Sequence, residues 1–471
     1  MATLDQLARG AVGQLDEWMH LAMDRTVRLA VTGLNQSGKT VFTTALVHHL
    51  LHALDGVNLP FLQVVAEGRL QGTRIMLQPD MDVPAFRYDS YLRALLGAKP
   101  AWPVPTDALS EIRLAVRFRP SGMVSRRITP NATLYLDIID YPGEWLLDLP
   151  MLHLSFAEWS AQTLQRCEEE PRRSLSEEWR ARLAEIDLAQ PAREEPIRIL
   201  GESYTRFLMA CKEAKVGLSF LQPGRFTIPG DFRGAPLLMF SPVPPPDHQG
   251  NPPGSVREEL EKRFESYKKW VIDTFFSRHF NTFDRQVVLL DLLSAMNRGP
   301  GAFADRQMAL EAILQGFRYG QANLFTRLFK PRIDKLLFAV TKADFVAANQ
   351  HANLERLLRQ MVARPANDAA FSGVEVKTQA LASLRCTRTV VREHDGRRLS
   401  FVQGIPKGRD KETLLFPGEI PETIPDPGEW DANRFHFLDF EPRRPPDAET
   451  ATPPHIRLDH ALEFLLGDKL K

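Results

Sequence analysis

Four residues with strand preference, Leu29-Ala30-Val31-Thr32, run straight into Gly33-Leu34-Asn35-Gln36-Ser37-Gly38-Lys39-Thr40, and a helical pattern follows at once. Gly-x-x-x-x-Gly-Lys-Thr between a strand and a helix is a phosphate-binding loop in its working context. Gly33 and Gly38 let the backbone wrap closely, so that N–H groups along Asn35, Gln36 and Ser37, and on to Val41, can point inward at phosphate oxygens. Lys39 is expected to reach the terminal phosphates, and Thr40 to ligate magnesium through its hydroxyl. The dipole of the following helix favours the same anion.

Two further motifs follow in order. Leu134-Tyr135-Leu136-Asp137-Ile138-Ile139 reads as a strand that delivers Asp140-Tyr141-Pro142-Gly143. An aspartate ending a hydrophobic strand is where a nucleotide-binding protein holds its magnesium, and a glycine three residues on offers a backbone N–H to the terminal phosphate. Lys335-Leu336-Leu337-Phe338-Ala339-Val340 is a continuous apolar strand ending in Thr341-Lys342-Ala343-Asp344. There the aspartate can accept from guanine N1–H and the 2-amino group, a donor pair that adenine lacks, while the lysine stem lies along base and ribose. A backbone N–H to guanine O6 is expected at Ala382-Ser383-Leu384, after a strand over 374–382.

At 471 residues the chain exceeds the comfortable size of one core, which predicts a core domain with an insertion or a second domain. Lysine plus arginine, 59, equals aspartate plus glutamate, 59, so a broadly basic surface for nucleic acid has no compositional support and no such partner is expected. Three scattered cysteines argue against a disulfide framework or a zinc site and suit a reducing cytosol. The first residues carry Asp5, Asp16, Glu17 and Asp24, unlike a signal peptide, and no apolar run is long enough to span a bilayer. The protein is expected to be cytoplasmic.

Along the chain, residues 4–23 carry apolar residues at helical spacing, which predicts an N-terminal helix over 1–24. Phe42, Ala45, Leu46, Leu50 and Leu54 mark the expected buried face of the helix after the loop, with His48, His49 and His52 as solvated histidines rather than metal ligands. Residues 57–110 break into turns and short segments rich in proline. Residues 112–118 and 134–139 predict strands. From Met151 to about Arg285 the periodicity is helical, with Ser255 and Glu258 as a capping box and Glu259–Arg263 among the ion pairs of a solvated face. Strand patterns return at 286–291 and 335–340, with helices between on Met308, Leu310, Ile313, Leu314 and Phe317 and again at 354–363. Runs apolar on both faces, alternating with helices, require a mostly parallel sheet covered on both sides, an α/β fold. A hairpin around Asp395-Gly396, a strand over 435–440 and a closing helix over 455–470 complete the chain. The expected organisation is a nucleotide-binding core over 25–150 and 286–390, a helical insertion over 151–285, and a C-terminal extension over 391–471.

Gly33-x4-Gly38-Lys39-Thr40, Asp140-x-x-Gly143 and Thr341-Lys342-x-Asp344, in that order, are the motif set of the GTPases. Beyond it, Gly-Leu-Asn-Gln-Ser-Gly-Lys-Thr at 33–40, Asp-Tyr-Pro-Gly-Glu-Trp at 140–145, Thr-Lys-Ala-Asp at 341–344 and the ending at 455–470 resemble the YcjX family of bacterial GTP-binding proteins over nearly the whole chain. The resemblance implies a Ras-like core with an added helical domain, binding of GTP and GDP with magnesium, and a link to bacterial stress responses. It also implies a candidate partner, an inner-membrane protein or the membrane surface itself, and with it a peripheral place at the inner membrane for a cytoplasmic protein. In such proteins a Trp-Pro segment ending in threonine serves as first switch, which Trp102-Pro103-Val104-Pro105-Thr106 matches, making Trp102 and Thr106 nucleotide contacts and Thr106 a magnesium ligand. The basic residue that often precedes that threonine is Pro105 here.

Hydrolysis needs charge neutralisation and a positioned water. Lys39 and Thr106 serve the first, and the water-orienting position after Asp-x-x-Gly is Glu144, where many GTPases carry glutamine. A carboxylate accepts from water but repels the γ-phosphate unless partnered, so slow intrinsic hydrolysis is expected, rising if a partner or dimer supplies a cation. Three functions stay open at this point: a GTPase switch, a guanine-nucleotide-binding module that does not hydrolyse, and an ATP-using phosphotransferase, against which Asp344 speaks.

Overall fold

The computed structural model describes residues 25–34, 36–55, 58–104, 108–122, 130–213, 215–245, 252–319, 333–371, 373–394, 396–430, 435–443 and 452–471. The expected N-terminal helix, Asn35 and Thr106 lie outside them. The fold is α/β, built on a seven-stranded sheet in the order β2-β3-β4-β1-β5-β6-β7. Its strands are β1 (Arg25–Gly33), β2 (Leu70–Met76), β3 (Ser110–Phe118), β4 (Ala132–Asp140), β5 (Arg285–Leu290), β6 (Lys335–Val340) and β7 (Glu375–Ala380). β4, β1, β5, β6 and β7 run parallel, and β3 pairs antiparallel with both β2 and β4. The central strands are buried end to end, which is why they read as unbroken apolar runs.

Between β4 and β5 the described elements are all helical, including α3 (Phe156–Arg166), α4 (Glu177–Ala184), α5 (Glu194–Lys212) and α6 (Val256–Tyr267). The aromatic residues of these helices, Trp159, Trp179, Tyr204 and Phe264 among them, share one continuous core with Ile139, Val288 and Leu336 on one sheet face. On the other face pack α1 (Lys39–Leu51), α2 (Tyr88–Leu96) and the closing helix α9 (Leu458–Leu466). The first face also carries α7 (Pro300–Tyr319) and α8 (His351–Phe371). A small antiparallel sheet of β8 (Arg388–His394), β9 (Arg397–Gly404) and β10 (Thr413–Leu415) follows β7. No helix among the described residues is long and apolar enough to cross a membrane.

Several expectations are corrected. The helix after the phosphate loop is buried on nearly every side, because α2 and the segment leading into α9 cover the face that reads as polar. His49 is fully buried and stacks edge-on to His455 at 4.7 Å between ring centroids, while His48 is buried and bonds Tyr88 Oη at 2.9 Å. Neither is solvated. Leu54 and Met308, expected in the core, are exposed. Arg263, expected on a solvated face, is buried and bridges Glu259 within α6 to Glu194 of α5. Residues 57–110 contain β2 and α2, which the broken pattern hid. α8 runs to Phe371, through Pro365. Residues 435–440 form no strand; Phe440 makes a single bridge to Pro406.

Candidate functional site

β1 ends at Gly33, and the loop to α1 closes through Gln36 and Gly38 at φ of 60° and 81°. Nothing crowds Gly38, so glycine is needed there for its left-handed backbone. Gly33 is needed for space, since a Cβ would lie 2.5 Å from the Leu289 carbonyl oxygen of β5. Ser37 N–H donates to Leu34 O at 3.1 Å, and Lys39 Nζ donates to Gly33 O at 2.7 Å. The loop thus ends on the N-terminus of a thirteen-residue helix with a lysine beside it, an anion site by dipole and charge together.

The parallel register pairs Val31 of β1 with Asp140 of β4, which sets this fully buried carboxylate beside the loop that Thr40 closes. Gly143 then packs on the loop itself, where a Cβ would come 2.6 Å from Gly33 O. Among the described residues no three or more His, Cys, Asp or Glu side chains could hold a metal by themselves. A threonine hydroxyl and an aspartate suit instead a magnesium ion that takes its other ligands from phosphate and water.

Glu144 follows, 3% exposed, with Lys212 Nζ at 3.1 Å from its Oε1, while its buried Oε2 has no hydrogen-bond partner. Burial works against its charge, but the Lys212 and Lys39 ammonium groups hold its carboxyl below the usual range. The segment after Gly143 docks on the helical stretch. Asp148 accepts from Gly224 N–H at 2.8 Å and from Tyr267 Oη at 2.5 Å. Trp145 donates to Ile228 O at 3.1 Å and lies under the Arg225 guanidinium, 3.2 Å from its ring centroid.

At the other end, Thr341 Oγ1 donates to Leu290 O, and Lys342 sits at φ 59°. Lys342 Nζ bonds Asp291 Oδ2 at 2.6 Å and Asp439 Oδ1 at 2.9 Å. Burial opposes this charge too, yet the two carboxylates hold the ammonium above its usual range. Asp344 is 4% exposed and accepts from Cys386 N–H at 2.7 Å; burial raises its carboxyl to about 6. Ala382 gives its N–H to Ile456 O, so of the three residues expected to offer an amide to a base this one is already engaged.

One cavity of about 560 Å³ joins these parts. Gln36, Ser37, Gly38, Lys39, Thr40 and Val41 line one end, with Glu144 beside them, and Thr341, Lys342, Asp344, Ala382 and Ser383 line the other. Trp102 borders it and is fixed by donating Nε1–H to Phe440 O at 2.8 Å. Its size is that of a pocket for a single small ligand. Sequence reading missed Lys212, Thr227 and Ile228 from the helical stretch, and Lys407 and Asp439 from the C-terminal region. Each belongs to a segment far away in sequence, with no local spacing to mark it.

Residues 27–470 match the YcjX-like family, DUF463. The chain belongs to that family. It is 43% identical to a protein of Escherichia coli K12 named Ras-like GTPase YcjX, over 97% of this chain and 99% of the relative. It is 39% identical to a protein of the same name from Shewanella oneidensis, over the full length of both.

Proposed function

We propose that this protein is a magnesium-dependent GTPase that works as a nucleotide switch with slow intrinsic hydrolysis. One observation carries the reading: a single cavity is lined at one end by the phosphate loop and at the other by Thr341, Lys342 and Asp344, with Glu144 at the phosphate end. The naming of two full-length relatives as Ras-like GTPases supports it.

In this reading Lys39 and the loop amides hold the β- and γ-phosphates, and Asp344 accepts from the guanine edge while the Lys342 stem flanks the base. Thr40 and Asp140, with Thr106 of the first switch, would hold magnesium, which when bound would supply charge neutralisation at the phosphates. Glu144 accepts a hydrogen bond from the attacking water. Gly143 reports the terminal phosphate to the segment over 143–153, and that segment is bonded to 222–228, so nucleotide state is passed to the helical subdomain. A role in bacterial stress responses and a partner at the inner membrane belong to this proposal through the family resemblance.

The test is single-turnover hydrolysis of GTP and of ATP, with magnesium and with chelator. Magnesium-dependent release of phosphate from GTP alone is expected. Tight GTP and GDP binding without any turnover would replace the GTPase with a guanine-nucleotide-binding module.

A further inference from the structure

A carboxylate at the water-orienting position is unfavourable next to a γ-phosphate. At about 5 Å, two like unit charges at an effective dielectric near 20 repel enough to change an affinity by roughly a hundredfold. Glu144 is nonetheless buried at this end of the cavity, with one oxygen unpartnered and the other on Lys212. Lys212 is the last residue of α5, 68 residues downstream, and its ammonium is the one cation from the helical stretch that lines the cavity among the described residues. Its side chain is 15% exposed, so the pair is shielded from solvent and weakly screened.

The backbone around the pair fixes it from both sides. Gly224 packs so tightly on Glu144 that a Cβ there would lie 2.6 Å from the Glu144 carbonyl carbon. Tyr204, about two turns back from Lys212 on α5, donates Oη–H to Gln222 O at 2.7 Å, which ties α5 to that same loop. The end of α5 and the peptide of Glu144 are therefore held through one segment, 222–224.

We propose that Lys212 is the positioning residue that lets a carboxylate work at the terminal-phosphate end: the helical stretch supplies, within the same chain, the cation that cancels the Glu144 charge against a triphosphate and turns Oε2 toward the water site. The inference rests on the proposed GTP-binding reading and concerns the triphosphate specifically. Lys212 discriminates GTP from GDP, because only the γ-phosphate meets Glu144.

The test is competition of a GTP analogue with a non-hydrolysable β–γ bridge, and of GDP, against fluorescent GDP on the full chain with magnesium. Lys212→Met is expected to weaken the analogue about a hundredfold and GDP less than threefold. Lys212→Arg should keep both within about threefold of wild type. The double variant Glu144→Gln with Lys212→Met should regain analogue affinity, since the repelling charge is gone, with thermal melting showing that every variant is folded. Equal losses for analogue and GDP in Lys212→Met, an unchanged ratio, or no recovery in the double variant would each overturn the inference while leaving guanine-nucleotide binding intact. Failure of the wild-type protein to bind either nucleotide would overturn both readings.

Discussion

Gly224 is not among the residues that line the cavity and matches no motif, yet it packs directly on the residue after Asp-x-x-Gly. A Cβ built on it would stand 2.6 Å from the Glu144 carbonyl carbon and 3.2 Å from the Glu144 Cβ, and closer still to the carbonyl oxygen. Gly224 carries no positive φ, so Gly224→Ala brings in a steric perturbation without backbone strain. To reach ordinary contact the two backbones must part by roughly 1–1.5 Å, at a cost of roughly 1–3 kcal/mol for overpacking in a closed interior. Because Gly224 N–H also donates to Asp148, the movement pulls on the whole 143–153 segment. A misplacement of that size at a catalytic group is worth on the order of a hundredfold in rate. Single-turnover GTP hydrolysis should therefore fall about a hundredfold, while GDP, which does not need Glu144, binds within about threefold of wild type, and melting falls by a few degrees. Wild-type hydrolysis in a variant whose melting has dropped would refute the coupling of this loop to Glu144.

Asp344→Asn should weaken GDP by about a hundredfold, because an amide presents only one acceptor to two guanine donors. Burial raises Asp344 to about 6 and only the carboxylate accepts both donors, so GDP affinity measured by fluorescence should fall as pH drops below about 6 and stay level above it. Chelation of magnesium should weaken GDP roughly tenfold or more in the wild type and have little effect in Thr40→Ala, read in the same assay. His49 is lowered from 6.5 to about 3 by burial, His455 and His48, so the unfolded chain binds more protons below pH 6.5. Stability is then full above about pH 6.5 and lost as pH falls toward 3, and His49→Phe should flatten the acid limb of the melting profile, each pKa unit being worth about 1.4 kcal/mol.

Fold class and most of the site were legible because their signals are local. The loop at 33–40, Asp140 through Glu144 and Thr341 through Asp344 each sit at the end of a buried parallel strand, where an apolar run and a turn announce both the element and its chemistry. What escaped depends on contacts distant in sequence. Lys212 meets Glu144 across 68 residues and Asp439 meets Lys342 across 97, and neither spacing leaves a trace in the sequence. The histidines of α1 read as a solvated face because nothing local says that Tyr88 of α2 and His455 will cover it. β2 escaped because it is an edge strand, Leu-Gln-Gly-Thr-Arg-Ile-Met, half polar, with an irregular register between Leu70 and Gly72. The cation that the Glu144 carboxylate called for was expected from a partner or dimer; the fold supplies one from its own helical stretch.

In the proposed function this cavity selects guanine through Asp344 and binds the nucleotide's phosphates at the loop of residues 33–40. Competition of GDP and ADP against fluorescent GDP, with magnesium at neutral pH, tests it most directly. Displacement by GDP is expected at a concentration at least about a hundredfold below that of ADP, with the difference largely lost in Asp344→Asn. Equal displacement by the two, or preference for ADP, would contradict it.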